Sequence, residues 1–155
     1  MLFRGLFSGN IKLTDARNLL LPATTLKEGC YQSMFQGCAR LTETPVLPAE
    51  ELVNGCYDSM FSGCSSLSSV TCLATSGINE DFSTRNWLSG VAAEGTFTKA
   101  ASANVGSGEY GKYWPTNSPD GIPRNWRVEE AEMIFEILKL GMALIAVRNV
   151  PPSGK

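Results

Sequence analysis

Five cysteines, Cys30, Cys38, Cys56, Cys64 and Cys72, are the residues best equipped by type for chemistry, since a thiolate can attack a carbonyl or hold a metal. Their spacing argues for neither use. Zinc sites bring ligand pairs roughly two to four residues apart, whereas Cys-x7-Cys spacing in a chain with no histidine fits poorly. The lack of histidine also removes the commonest general base. Ser33 and Ser59 stand at equivalent places in a repeat, with no motif setting a base beside either. Gly106-Ser107-Gly108 lacks the further glycine and the lysine of a phosphate-binding loop. Glu50-Glu51 and Glu129-Glu130 are adjacent pairs, whose side chains diverge on a helix or a strand and read as solvated surface. Tyr113 and Trp114, beside a Gly-rich stretch, are of a type that stacks on sugars, although sealing the end of a core is the commoner use of such rings. These residues describe a chain that is not an enzyme and needs no metal or cofactor.

The spacing of the cysteines belongs to a larger pattern. At an offset of 26 residues, Leu21-Pro22-Ala23, Leu26, Gly29-Cys30-Tyr31, Ser33-Met34-Phe35, Gly37-Cys38 and Leu41 fall on Leu47-Pro48-Ala49, Leu52, Gly55-Cys56-Tyr57, Ser59-Met60-Phe61, Gly63-Cys64 and Leu67. At an offset of 28, Phe3, Phe7, Gly9, Leu13 and Thr14 match Tyr31, Phe35, Gly37, Leu41 and Thr42, so Met1 falls inside a repeat and the chain reads as part of a longer protein. A period in the twenties marks units that bury their apolar faces by stacking on copies of themselves. The thiols then read as small core residues shared between layers, with disulfides between neighbouring turns as the alternative. Asn10 stands where the other copies have Cys38 and Cys64, which a polar column tolerates and a required cross-link does not.

Each unit carries two periods. Leu26, Cys30, Tyr31, Met34, Phe35 and Cys38 stand three or four apart, which predicts a short helix closed by Gly37; Leu52, Cys56, Tyr57, Met60, Phe61 and Gly63 repeat it. Leu67-x-x-Val70-x-Cys72, with Leu41-x-x-Thr44-x-Val46 and Leu13-x-x-Ala16, predicts a short strand, irregular where Pro45 interrupts the second. The expected fold class is therefore α/β, a short leucine-rich-repeat solenoid of one helix and one strand per turn over residues 1–73. Residues 74–128 are expected to cap it. Phe82, Trp87, Leu88 and Val91 would form a helix, Gly95 to Lys99 a strand at the sheet edge, Ala100 to Gly111 a flexible loop, and Ile122 to Val128 a last strand. Residues 129–155 are expected to form a terminal helix, with Glu129, Glu130 and Glu132 at its start, Arg148 near its end, and a loose end from Pro151. Its apolar part, Met133 to Val147, contains Glu136 and Lys139 and is too short to cross a bilayer.

The two full units, LPATTLKEGCYQSMFQGCARLTETPV and LPAEELVNGCYDSMFSGCSSLSSVTC, resemble those of the BspA-like leucine-rich-repeat proteins of bacterial surfaces. The resemblance covers the repeats and extends to about residue 128 through Asn86 to Val91, Gly95 to Lys99 and Gly121 to Val128. It implies an exported or cell-surface interaction module with no catalytic residues to carry over. A chain that truly starts at Met1 would instead be cytoplasmic, because no signal peptide is present.

The net charge of −2, without a basic run, argues against nucleic acid and anionic membranes as partners. Two readings of function follow. In the first, outward strand positions Thr42, Glu43, Ser68, Ser69 and Thr71 form a shallow contact face for a host or bacterial surface protein or a glycan, with Tyr113 and Trp114 as a second, aromatic glycan contact. In the second, the chain is a spacer or cap of a longer solenoid, and the same face is only solvated.

Overall fold

The computed structural model describes residues 3–21, 25–131 and 149–150. The two copies lie one on the other, with the rings of Phe35 and Phe61 parallel at 5.5 Å. The helices expected in each unit are absent: no helix occurs among the described residues, and the α/β solenoid of one helix and one strand per turn is overturned.

What replaces the helix is a ribbon of overlapping turns. Gly29, Ser33 and Gly37, four residues apart, have φ of +62°, +56° and +76°, and Gly55, Ser59 and Gly63 repeat this at +64°, +57° and +79°. A right-handed helix cannot pass through such residues. The amides between them alternate in direction. Cys30, Gln32, Met34, Gln36 and Cys38 donate within the coil to the carbonyls of Lys27, Gly29, Tyr31, Ser33 and Phe35. Gly29, Tyr31, Ser33, Phe35 and Gly37 donate instead to Asn54, Cys56, Asp58, Met60 and Ser62 of the next coil, at 2.8–3.1 Å. Side chains leave the ribbon in pairs, so Cys30-Tyr31, Met34-Phe35 and Cys38 are buried while Gln36 faces water. A four-residue period and the 3.6-residue period of a helix place apolar residues at the same spacings over so short a run.

Stacking then follows from sequence identity between layers. One ring column runs Phe3, Tyr31, Tyr57, Trp87, Trp114, with centroids 5.6, 6.2, 6.0 and 5.2 Å apart. A second runs Phe7, Phe35, Phe61 at 5.4 and 5.5 Å. Gly9, Gly37, Gly63 and Gly90 form a backbone column, the Cβ position of each of the last three falling 3.5–3.6 Å from the Cα of the glycine before it.

The stack runs on past Leu73. Gly55, Tyr57, Ser59, Phe61 and Gly63 donate to Asp81, Ser83, Arg85, Trp87 and Ser89, and Phe82, Asn86 and Gly90 take the positive φ of Gly55, Ser59 and Gly63. The capping helix expected from Phe82, Trp87, Leu88 and Val91 is thus a further coil of the same ribbon. Its outward amides meet a different ending. Asn86 N–H donates to the Asp120 carboxylate at 2.7 Å and Leu88 N–H to the Pro119 carbonyl at 3.2 Å. The Thr84 hydroxyl and the Trp87 indole N–H donate to the carbonyls of Asp120 and Gly121.

On one side the coils pair as a parallel sheet. β1 (Ser69–Cys72), β2 (Gly95–Lys99) and β5 (Trp126–Ala131) lie side by side, and β6 (Asn149–Val150) adds antiparallel to β5. Earlier rungs shrink to single bridges, Asp15 with Glu43 and Leu47 with Cys72; Pro45 has no N–H to extend them. Gly95–Lys99 is the strand its alternation predicts, but it lies inside the sheet rather than at its edge. The stretch expected as a flexible loop contains β3 (Asn104–Val105), paired in parallel with β4 (Tyr113–Trp114). Glu129 and Glu130 belong to β5 and do not open a helix, and Lys99 Nζ stands 3.4 Å from the Glu130 carboxylate. The rest of the expected terminal helix, and the loose end after it, lie outside the described residues.

Candidate functional site

The cysteines are placed for packing. All five are free and buried. Cys38 and Cys64 donate their S–H to the carbonyls of Phe7 and Phe35 in the preceding coil, each at 3.1 Å. Asn10, at the same place in the first coil, turns its Oδ1 to the amides of Lys12 and Leu13. Burial pushes the Cys56 and Cys64 thiols up to about 12 and raises Cys30, Cys38 and Cys72 as well. Thiols held protonated are poor nucleophiles and poor metal ligands. No group of His, Cys, Asp and Glu able to hold a metal occurs among the described residues.

Ser33 and Ser59 serve the backbone: both have positive φ, and the Ser59 hydroxyl donates to the Asp58 carboxylate at 2.9 Å. Asp58 is buried and also receives Arg85 at 2.6 Å and the Gln32 amide at 3.3 Å, which ties three coils together. The Asp58 hydrogen bond raises the Arg85 pKa above its ordinary value. Glu50 and Glu51 are exposed, as their adjacency suggested.

The sheet face is the one extended array of outward polar side chains the sequence pointed to. Thr42, Glu43 and Ser68 are exposed, while Ser69 and Thr71 are half-buried. The Thr42 hydroxyl is engaged with the Thr14 carbonyl at 3.0 Å. Register carries the face further than the repeats alone. Ser69 pairs with Thr96 and Thr96 with Arg127; Thr71 pairs with Thr98 and Thr98 with Glu129, but the Thr98 side chain is buried and interrupts that second row. Val70, Phe97 and Val128 alternate with them toward the core. Arg127 is exposed and reaches both Glu129, at 3.0 Å, and the Thr96 hydroxyl, at 3.4 Å. The result is a shallow polar strip on a parallel ladder, able to offer hydroxyls and a paired charge. Thr96, Arg127 and Glu129 were missed by reading the array as ending at Leu73, although the alternation of Gly95–Lys99 was the available signal.

The aromatic pair divides. Trp114 is fully buried as the last ring of the column, 5.2 Å from Trp87 and edge-on to Phe97 at 4.9 Å, so it offers no face to a sugar. Tyr113 is half-buried and Tyr110 is 71% exposed. A separate cleft of about 290 Å³ opens at the first coil, lined by Phe7, Leu13, Asp15, Ala16, Asn18 and Leu19.

No protein family, curated protein or solved structure matches the chain. Among the described residues no helix is long and apolar enough to cross a membrane.

Proposed function

We propose that this chain is a non-catalytic interaction module of a bacterial surface protein of the BspA-like kind, exported or displayed at the cell surface, which uses its sheet face to contact a protein or a glycan. The supporting observation is the continuity of the outward row Ser69, Thr96, Arg127 across three strands held in register by backbone hydrogen bonds. Such a strip is rigid before contact, which lowers the entropy lost on binding. It is also shallow, so single contacts are weak and many copies or repeats are needed for avidity. The five cysteines are free and buried in the coil interior, where they pack between layers.

A second reading, a spacer in a longer stack, draws on the ring column that passes through every coil. One experiment separates them. The double variant Ser69→Lys, Thr71→Lys is compared with the parent for retention on immobilised matrix proteins and on a glycan panel, with thermal melting as the control for folding. The contact reading expects at least a severalfold loss of retention at unchanged melting temperature. Equal retention by both proteins, or none by either, would leave the strip as solvated surface and favour the spacer.

A further inference from the structure

Asn54 is the one asparagine in the sequence followed by glycine. An Asn-Gly pair is labile in a way the buried thiols of this chain are not: the glycine nitrogen can attack the asparagine carboxamide, and glycine has no Cβ to block the approach. The pair lies at the corner where the coil of Gly55 to Gly63 begins. Asn54 is exposed, and its carboxamide donates to the Glu28 carboxylate of the coil before at 3.5 Å. Gly55 is buried, with φ +64°, and its N–H donates to the Asp81 carbonyl of the coil after at 3.1 Å. The Asn54 carbonyl in turn accepts the Gly29 N–H at 2.9 Å. The electrophile thus stands in water while the nucleophile is held inside the stack. The neighbouring coils carry no such pair at this corner: one reads Glu28-Gly29, with no amide to lose, and the other Asp81-Phe82, where a bulky ring follows an acid.

We infer that Asn54 is a modification site governed by the contact between its coil and the coil of Phe82 to Gly90: it closes to a succinimide when the Gly55 N–H leaves the Asp81 carbonyl. In that step the Gly55 nitrogen bonds to the carbonyl carbon of the Asn54 side chain and gives up its proton, and the carboxamide nitrogen leaves as ammonia. Water then opens the ring, at one carbonyl to give aspartate and at the other to give isoaspartate. No oxidant or cofactor is consumed. The attacking species is a deprotonated amide, and a buried amide whose proton is committed to a carbonyl is poorly placed to become an anion. Separating the two coils exposes it to water and base. Either product opposes reclosure. Aspartate adds a carboxylate beside Glu28, and Asp81 holds the same place one coil on, so like charges stack. Isoaspartate routes the backbone through the former side chain, one carbon longer, so the acceptor for the Gly29 N–H and the donor to Asp81 no longer both stay in register. The pair records separation of the coils as a covalent change.

The test incubates the intact chain in mildly alkaline buffer at rising guanidinium chloride and follows its mass and its isoaspartate content. A gain of one mass unit mapped to Asn54 is expected, at least about tenfold slower in the folded chain than in the fully unfolded one, with a rate that climbs as the denaturant opens the stack. Arg85→Ala removes the 2.6 Å bond between Arg85 and Asp58 that joins the same two coils, and is expected to raise the rate severalfold without denaturant. Asn54→Gln lengthens the carboxamide by one carbon, and is expected to melt as the parent does and to show no mass gain at this position. Protein carrying isoaspartate, separated and returned to plain buffer, is expected to exchange the amide hydrogens of Gly29 and Gly55 faster than the parent. Equal rates in the folded and unfolded chain, a mass gain mapped to another asparagine in place of Asn54, an unchanged rate in Arg85→Ala, or unchanged exchange at Gly29 and Gly55 after modification would each overturn the inference.

Discussion

The turn ribbon can be tested at a single residue, because a ribbon and a helix demand opposite things of Ser33. In the structure Ser33 has φ +56° and its amide donates to Asp58 of the next coil. A side chain in that region costs about 1–2 kcal/mol relative to the right-handed basin. Glycine escapes this penalty but loses about 0.4–1 kcal/mol more chain entropy on folding than alanine. Ser33→Gly should therefore be the more stable variant, exceeding Ser33→Ala by roughly 0.5–1 kcal/mol. At an interior helical position the order reverses, with glycine about 1 kcal/mol worse than alanine. The two structures thus differ by a swing of about 1.5–2 kcal/mol between two small substitutions. Ser33 suits the test because Ser59, its counterpart, also bonds Asp58 through its hydroxyl and would confound the comparison. Urea unfolding of the two variants in parallel gives the difference from their midpoints, provided the slopes agree. An alanine variant more stable than the glycine variant would refute the ribbon at this position, and with it the explanation of why no helix forms.

Two further outcomes follow from the ends and the core of the stack. Asp120→Ala removes the carboxylate that accepts the Asn86 amide at 2.7 Å, and should cost about 1.5–3 kcal/mol as a lost charged hydrogen bond, with faster hydrogen exchange at Asn86; unchanged exchange there would show that the carboxylate does not close the ladder. Stability should fall as pH rises above about 8.5, where thiols ionise only in the unfolded chain. The decline should continue toward the folded values of Cys56 and Cys64, pushed up to about 12 by burial. The sign is fixed by the direction: a raised folded value means stability intact below the unfolded one and lost above it. A urea midpoint that stays flat from neutral pH to pH ~11, or a thiolate absorbance appearing at ordinary thiol pH in the folded protein, would contradict the buried, protonated column.

How far the sequence led depends on which physical cue each feature rests on. The stacking of Phe35 on Phe61 was readable because identical residues at a fixed offset have few other ways to bury themselves. The local conformation was not. Cys30, Tyr31, Met34, Phe35 and Cys38 fit a helical face and a four-residue ribbon alike, and only Gly29, Ser33 and Gly37 at four-residue intervals carried the distinction. The coil after Leu73 was hidden because Phe82 and Asn86 stand where glycine and serine stood. Position there is held by the Trp87 ring stacked on Tyr57, and not by a recognisable motif. For the same reason the sheet strip was seen only in its first half, Ser69 and Thr71, and not in Thr96, Arg127 and Glu129, which join it through register across sequence-distant strands.

The forward direction of the inter-coil amides in the turn ribbon gives that side of the molecule an electrical axis. In the turn ribbon from Gly5 to Gly63 every second N–H points toward the next coil, so those aligned peptides leave a positive pole where Asn86 and Leu88 emerge, whereas sheet-side amides such as those of Thr42 and Leu73 point back to the preceding coil. The anionic side chain of Asp120 sits on the positive pole, the arrangement that favours acidic groups at the start of a helix, reached here without any helix. A block of coils inserted upside down would set like poles of the ribbon against each other and leave the ribbon's donors without facing acceptors. Rearranged versions of this protein should therefore accept extra coils in one orientation only.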